Sequence, residues 1–110
     1  MAVPIEIDIA ATKSRLDAGE DLFFVDCREP DEYAVANIDG ATLIPMSELA
    51  NRVAEFQPHA NKPIIIHCHH GGRSLRVAAW LRQQGYAQAQ SMAGGIDQWS
   101  QEIDPSIARY

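Results

Sequence analysis

Short apolar runs alternate with amphipathic patterns along the whole chain, and that alternation predicts strands and helices taken in turn. Ile5 and Ile7 alternate with polar neighbours, the pattern of a short edge strand. Asp8 stands where a helix N-cap is expected, ahead of Ile9, Thr12 and Leu16 on one face and Gly19 at the far end. Leu22 to Val25 is apolar on both faces, which fits a strand in a parallel sheet covered by helices on each side. Pro30 suits the first turn of a helix, so Glu29 to Val35 reads as a short one with Tyr33 turned inward. Gly40 closes that connection, and Ala41 to Ile44 predicts a third strand stopped by Pro45. Ser47 is placed to cap a helix carrying Leu49, Val53 and Phe56, and Pro58 and Pro63 bracket a loop.

The run Ile64 to His67 predicts another fully buried strand, which delivers Cys68 at its carboxyl end. An amphipathic pattern follows from Leu75, with Val77, Ala78 and Leu81 on one face, Arg76 and Gln83 turned away, and Gly85 as its stop. Residues 88–91 read as a last strand, although Gln88 and Gln90 are poor strand formers. Gly94 and Gly95 then turn into a helix with Ile96, Trp99 and Ile103 on one side, halted by Pro105. The order predicts an α/β fold: one domain over residues 1–110, with a mainly parallel five-stranded sheet flanked by helices on both faces. Sites in such folds gather at the carboxyl ends of the strands, where Cys68 and Arg28 both fall.

Composition narrows the class. With 46% hydrophobic residues among 110, the chain can close a core without disulfides or a structural metal, and its two cysteines make no disulfide framework. The N-terminal segment lacks a basic start, and no apolar run approaches the roughly 20 residues of a membrane span, so a soluble protein of the reducing cytoplasm is expected. A formal charge of −6 argues against general binding to nucleic acid or to an anionic membrane, both of which need a basic surface. Any anionic substrate must therefore be attracted locally.

The local attraction is predicted in the stretch Cys68-His69-His70-Gly71-Gly72-Arg73-Ser74. A cysteine that leaves a buried strand, crosses a glycine turn and meets a helix start lies where backbone N–H groups and the positive helix end converge. Such a nest favours the thiolate and makes Cys68 a candidate nucleophile. Gly71 and Gly72 permit backbone angles that a Cβ would resist, and Arg73 adds a fixed positive charge suited to an oxyanion.

Val25-Asp26-Cys27-Arg28-Glu29 leading into Glu32-Tyr33, Ile38-Asp39-Gly40-Ala41 with Ile44-Pro45, the Cys68 loop, and Gly94-Gly95-Ile96 with Trp99 occur in this order across nearly the full length. In that combination the chain resembles a single rhodanese domain, the sulfurtransferase fold. The resemblance implies a cysteine that takes sulfane sulfur from a small anionic donor such as thiosulfate, holds it as a persulfide and passes it to cyanide, a thiol or a protein acceptor, with no cofactor. It places Cys68 as the catalytic residue, with His69, His70, Gly71, Gly72, Arg73, Ser74 and Arg28 in contact with substrate. Four residues separate Cys68 from Arg73, whereas the related phosphatases resemble Cys-x5-Arg, so sulfur transfer ranks above phosphate-ester or arsenate chemistry. A persulfide carrier or docking module in a thiolation pathway is the alternative, and donor preference separates the two.

Other readings of these residues are plainer. The cluster His67, Cys68, His69 and His70 contains good zinc or copper ligands, but consecutive ligands diverge on an extended chain and His59 is a poor complement, so no metal site is assigned. His69 and His70 are read as tuning the charge of the loop, and His67 as a satisfied strand-end residue. Cys27 reads as packing, although a strand lying beside that of Cys68 would bring the two thiols together as a regulatory or resolving disulfide. Arg28 is either a partner for Glu29 or Glu32 or a holder of the anionic donor, and Asp26 is structural.

Overall fold

A computed structural model describes residues 3–110 and contains a five-stranded sheet in the order β1-β5-β4-β2-β3, every neighbouring pair parallel. The strands are β1 (Glu6–Ile7), β2 (Phe23–Asp26), β3 (Thr42–Leu43), β4 (Ile64–His67) and β5 (Ala89–Met92). The helices are α1 (Ile9–Asp17), α2 (Pro30–Val35), α3 (Leu49–Arg52), α4 (Gly72–Gln83) and α5 (Gly95–Glu102). Successive side chains of a strand point to opposite faces, so the central strands feed two cores. Val25, Ile64, Ile66, Cys27 and Cys68 meet Phe56, Val77, Ala78 and Leu81 on one face. Phe24, Ile65 and Met92 meet Ile9, Ile96 and Trp99 on the other.

Several elements begin or end away from the expected positions. The third strand shrinks to Thr42–Leu43, because beyond it the chain only touches the sheet through Ile44 N–H on Asp26 O and Met46 N–H on Cys27 O, both 2.9 Å. The helix expected from Ser47 is broken into a 3₁₀ turn Met46–Glu48, the single α-turn α3, and a 3₁₀ stretch Val53–His59 that includes Pro58. Proline cannot donate the hydrogen bond a regular helix needs there, and 3₁₀ geometry accommodates short irregular runs. Ser47 does not cap: its hydroxyl donates to Glu29 Oε1 at 2.5 Å. Tyr33 is half-buried, and α2 carries no fully buried residue. Gln90 sits inside β5 and is buried, its amide donating to Pro4 O at 2.9 Å. Helix α4 starts at Gly72, three residues before Leu75, inside the cysteine loop.

The loop that follows β4 is fastened from outside by α5. Ile96 N–H donates to Cys68 O at 2.9 Å and Asp97 N–H donates to His69 O at 3.0 Å. These are first-turn N–H groups with no partner inside their own helix, so the loop carbonyls satisfy them. Gly95 makes the approach possible: it has φ +61°, and a Cβ there would stand 2.3 Å from His69 O and 2.6 Å from Cys68 O. Gly95→Ala is therefore expected to destabilise the domain by about 1–3 kcal/mol and to slow thiol chemistry at Cys68, measured by urea unfolding and alkylation rate. Ile65→Ala, in the fully buried central strand, should cost about 2–5 kcal/mol while leaving the alkylation rate of the folded protein unchanged.

Candidate active site

Cys68 stands one residue beyond β4, and its Sγ is gathered by the loop and the start of α4. Gly71 N–H donates to it at 3.1 Å and Ser74 N–H at 3.3 Å, while Ser74 Oγ lies 3.4 Å away. Gly71 has φ +110°, the turn that brings the chain back over the sulfur. Gly72 needs no such freedom: its φ is not positive and a Cβ there would meet nothing, so the expectation that both glycines are required holds for Gly71 alone. In a planar trans peptide the N–H points away from the C=O, so anchoring Cys68 O and His69 O on α5 turns the N–H groups of His69 and His70 away from α5. Those two N–H groups, with Gly72 and Arg73 N–H, donate to no described residue.

Cys27 completes the surroundings of the sulfur. It follows β2 as Cys68 follows β4, and its N–H donates to His67 O at 3.0 Å, which carries the β2–β4 ladder one step past Asp26 and His67. The Cys27 thiol is the largest influence holding the Cys68 thiol down, to a pKa of about 4; burial opposes it, and the Ser74 hydroxyl with the Ser74 and Gly71 N–H groups add to it. Cys68 and burial push the Cys27 thiol up, so Cys27 keeps its proton beside the Cys68 thiolate. Cys68 is only 1% exposed, which restricts reaction to a small reagent or to one that displaces the cover.

A buried hydroxyl pair extends the site and was not anticipated. Ser74 Oγ lies 2.7 Å from Ser91 Oγ, and both serines are fully buried. When Cys68 is a thiolate, Ser74 donates to it and Ser91 can donate to Ser74. A lone serine in an otherwise weak strand pattern was the only trace of this in the sequence.

The two arginines do not open toward a ligand. Arg28 is fully buried; its Nε and Nη2 donate to Asp26 Oδ1 and Oδ2 at 3.0 and 2.7 Å, Nη2 to Ala36 O at 2.6 Å, and Nη1 to Tyr110 Oη at 2.8 Å. The expectation that Arg28 holds the donor is corrected: its partner is Asp26 rather than Glu29 or Glu32, and the pair ties the end of β2 to α2. Arg73 is placed at the loop as expected, but its guanidinium is held by Glu32 through 2.6 and 2.8 Å bonds. That contact keeps the Glu32 carboxyl near a pKa of about 2, which also receives Tyr110 Oη at 2.9 Å.

The histidines divide. His67 is fully buried and burial lowers its pKa, so it stays neutral; its Nε2 has no hydrogen-bond partner, contrary to the expectation of a satisfied residue. His69 and His70 stack on each other with centroids 3.9 Å apart, and His69 also stacks on Tyr110 at 4.0 Å. The turn of the loop thus brings the two consecutive imidazoles together. His69, His70 and Asp97 offer one ligand atom each, all within 4.8 Å of one another, and are the described residues that could hold a metal ion. Asp97 was not foreseen as their complement, and its Oδ1 is engaged by Arg109 at 3.2 Å.

The rhodanese-like domain family model matches residues 8–102. A sulfurtransferase of Allochromatium vinosum is 35% identical over 103 residues, covering 94% of each chain. The thiosulfate sulfurtransferase GlpE of Pseudoalteromonas translucida is 33% identical, covering 94% of this chain and 95% of its own. The solved structure of the human single-domain sulfurtransferase TSTD1 superposes with a TM-score of 0.78 at 28% identity, covering 91% of this chain and 98% of the other. Longer relatives also match: the chain spans 29% of a rhodanese-like/PpiC domain-containing chloroplast protein of Arabidopsis thaliana. No helix among the described residues is long and apolar enough to cross a membrane. With its parallel sheet, its cysteine loop and a family match over most of its length, the chain belongs to the rhodanese-like family, alongside single-domain sulfurtransferases.

Proposed function

We propose that the protein transfers sulfane sulfur through a persulfide on Cys68, taking it from a small anionic donor such as thiosulfate and giving it to cyanide, a thiol or a protein acceptor. The observation that carries this reading is the sulfur of Cys68 held by Gly71 N–H and Ser74 N–H at 3.1 and 3.3 Å, with its thiol pKa brought down to about 4. The thiolate attacks the outer sulfur of thiosulfate, the bond between the two sulfurs of the donor breaks, and sulfite leaves with the bonding pair. The new terminal sulfur carries the negative charge, and the unpaired N–H groups of His69, His70, Gly72 and Arg73 suit an anion in the cradle. An acceptor nucleophile then takes that sulfur and returns Cys68 to the thiolate. Ser74, through its hydroxyl and its link to Ser91, steadies the negative charge at each stage.

The occupied guanidinium of Arg73 favours this chemistry over phosphate-ester cleavage. A fork already filled by the Glu32 carboxylate offers no second fork for a tetrahedral phosphate. The short loop, with four residues between Cys68 and Arg73, suits one added sulfur atom. Glu32→Gln would weaken that hold on Arg73; thiosulfate turnover should fall in this variant, and aryl phosphate turnover should be absent from it and from the unmodified protein.

Incubation with thiosulfate should add one sulfur mass to Cys68, removable by cyanide with thiocyanate as product, and Cys68→Ser should abolish both. Turnover retained in Cys68→Ser would remove this residue from the mechanism. Since the folded thiol titrates far below a free thiol, alkylation by iodoacetamide should be nearly flat from neutral pH down to mildly acidic pH and fall only as the thiolate protonates near pH 4. Ser74→Ala removes one hydrogen bond to the charged form, so the midpoint should move upward. A midpoint above 8 in the unmodified protein would contradict the arrangement, as it would for any thiol with the free value of about 8.5.

A further inference from the structure

The geometry points to Cys27 as a resolving thiol: it attacks the inner sulfur of a Cys68 persulfide, forms a Cys27–Cys68 disulfide, and expels the carried sulfur as hydrogen sulfide. The inference rests on the persulfide reading above and adds a second activity to the same site, sulfide release without an external acceptor for the sulfur.

The two cysteines stand side by side at the ends of neighbouring strands. β2 and β4 are paired in register from Phe23 on Ile64 to Asp26 on His67, and Cys27 and Cys68 are the next residues along each strand. The Cys27 N–H bond to His67 O, 3.0 Å, keeps the two chains side by side at that step. Neighbouring strands run about 4.8 Å apart, inside the Cα separation of roughly 4.4–6.8 Å that a disulfide spans. Both side chains enter the same core, the one that also contains Val25, Ile66 and Val77, so they lie on one face of the sheet.

The loop amides of Gly71 and Ser74 reach the Cys68 sulfur from the side of α4, whereas Cys27 lies beside it in the register of β2. The carried sulfur belongs on the loop side, where unpaired amides favour its charge, so Cys27 stands behind the bond to be broken. Both cysteines are nearly or fully sealed from solvent, at 1% and 0% exposure. An intramolecular attack requires no access, whereas a bulky external thiol must first open the cover.

The step balances without an added oxidant. The Cys27 Sγ to Cys68 Sγ bond forms and the bond from Cys68 Sγ to the terminal sulfur breaks. Loading moves the negative charge from the Cys68 sulfur, which had held the Cys27 thiol protonated, out to the terminal sulfur, so Cys27 gives up its proton and attacks as the thiolate; the terminal sulfur leaves with the bonding pair and takes up that proton, as HS⁻. It is reduced from the sulfane to the sulfide level, and the two cysteines are oxidised together. A dithiol reductant then returns the disulfide to the starting pair.

The test compares the full chain with Cys27→Ala and Cys27→Ser, both checked for folding by thermal unfolding. Each is loaded anaerobically with thiosulfate, freed of excess donor and kept without reductant, while intact mass, sulfide and non-reducing peptide maps are followed. The unmodified chain should lose its added sulfur, end two hydrogens lighter than the reduced protein, release one sulfide per chain and yield a Cys27–Cys68 cross-linked peptide. At least one folded variant should keep the persulfide about ten-fold longer or more and release no sulfide on that timescale. If all the chains load and retain sulfur alike, or the cross-linked peptide is absent, the resolving role is overturned while the persulfide reading stands. If none of them takes up sulfur, both fail together.

Discussion

The site depends on two peptide carbonyls being tied down. Cys68 O and His69 O are held by the first turn of α5, and this attachment sets the orientation of the chain immediately after the cysteine. Without it, the residues leaving β4 would be an ordinary exposed turn, free to present either carbonyls or amides to the sulfur. Gly95 is where the constraint is concentrated, because only a residue without a Cβ lets α5 come this close. The paired glycines at the start of α5 and the cysteine before α4 are thus parts of one device, although twenty-five residues lie between Cys68 and Gly94 in the chain.

That orientation decides which electrostatic effect wins at Cys68. Burial opposes the thiolate, and in an apolar pocket it would leave the thiol protonated and inert. Here a neighbouring thiol, a serine hydroxyl and two amides offset the burial, so the side chain is charged while almost wholly out of water. The guanidinium of Arg73 adds less than a free cation would, since Glu32 neutralises it at 2.6 Å. A protein with net charge −6 therefore stabilises an anion by short-range dipoles, without relying on a long-range positive field.

Beneath the loop lies a second polar layer with a different task. Asp26 and Arg28 form a fully buried ion pair in which backbone and side-chain acceptors occupy the remaining donors of the guanidinium. Such a pair adds little net stability compared with apolar packing, but breaking it leaves an uncompensated buried charge, so it favours one geometry over its neighbours. It fixes the end of β2, and with it Cys27, relative to α2 and Glu32. The motif Asp26-Cys27-Arg28 thereby places a thiol beside Cys68 by sheet register and anchors the surrounding turns by charge.

The fold was legible because it rests on local signals that survive in one dimension. The apolar run Ile64–Ile66, the cap at Asp8 and the stop at Gly85 each act within a few residues, and the alternation of period-two and helical patterns is enough to specify a parallel sheet covered on both faces. The cysteine loop was legible for the same reason: cysteine, turn glycine and helix start follow one another closely. What the sequence could not disclose are relations across the chain. It left open whether Arg28 faced a ligand or a carboxylate, because the choice depends on how Ala36 and Tyr110 close around it. It hid Ser91, since a serine in a weak strand is unremarkable until β5 lies beside the loop. It did not foresee that Arg73 would meet Glu32, that two adjacent histidines would stack, or that the helix after Ser47 would break. Periodicity, turn chemistry and the cysteine loop are properties of neighbouring residues and can be read along the chain. Burial, charge pairing and the approach of Cys27 to Cys68 are set by distances between strands and helices, and only tertiary packing determines those.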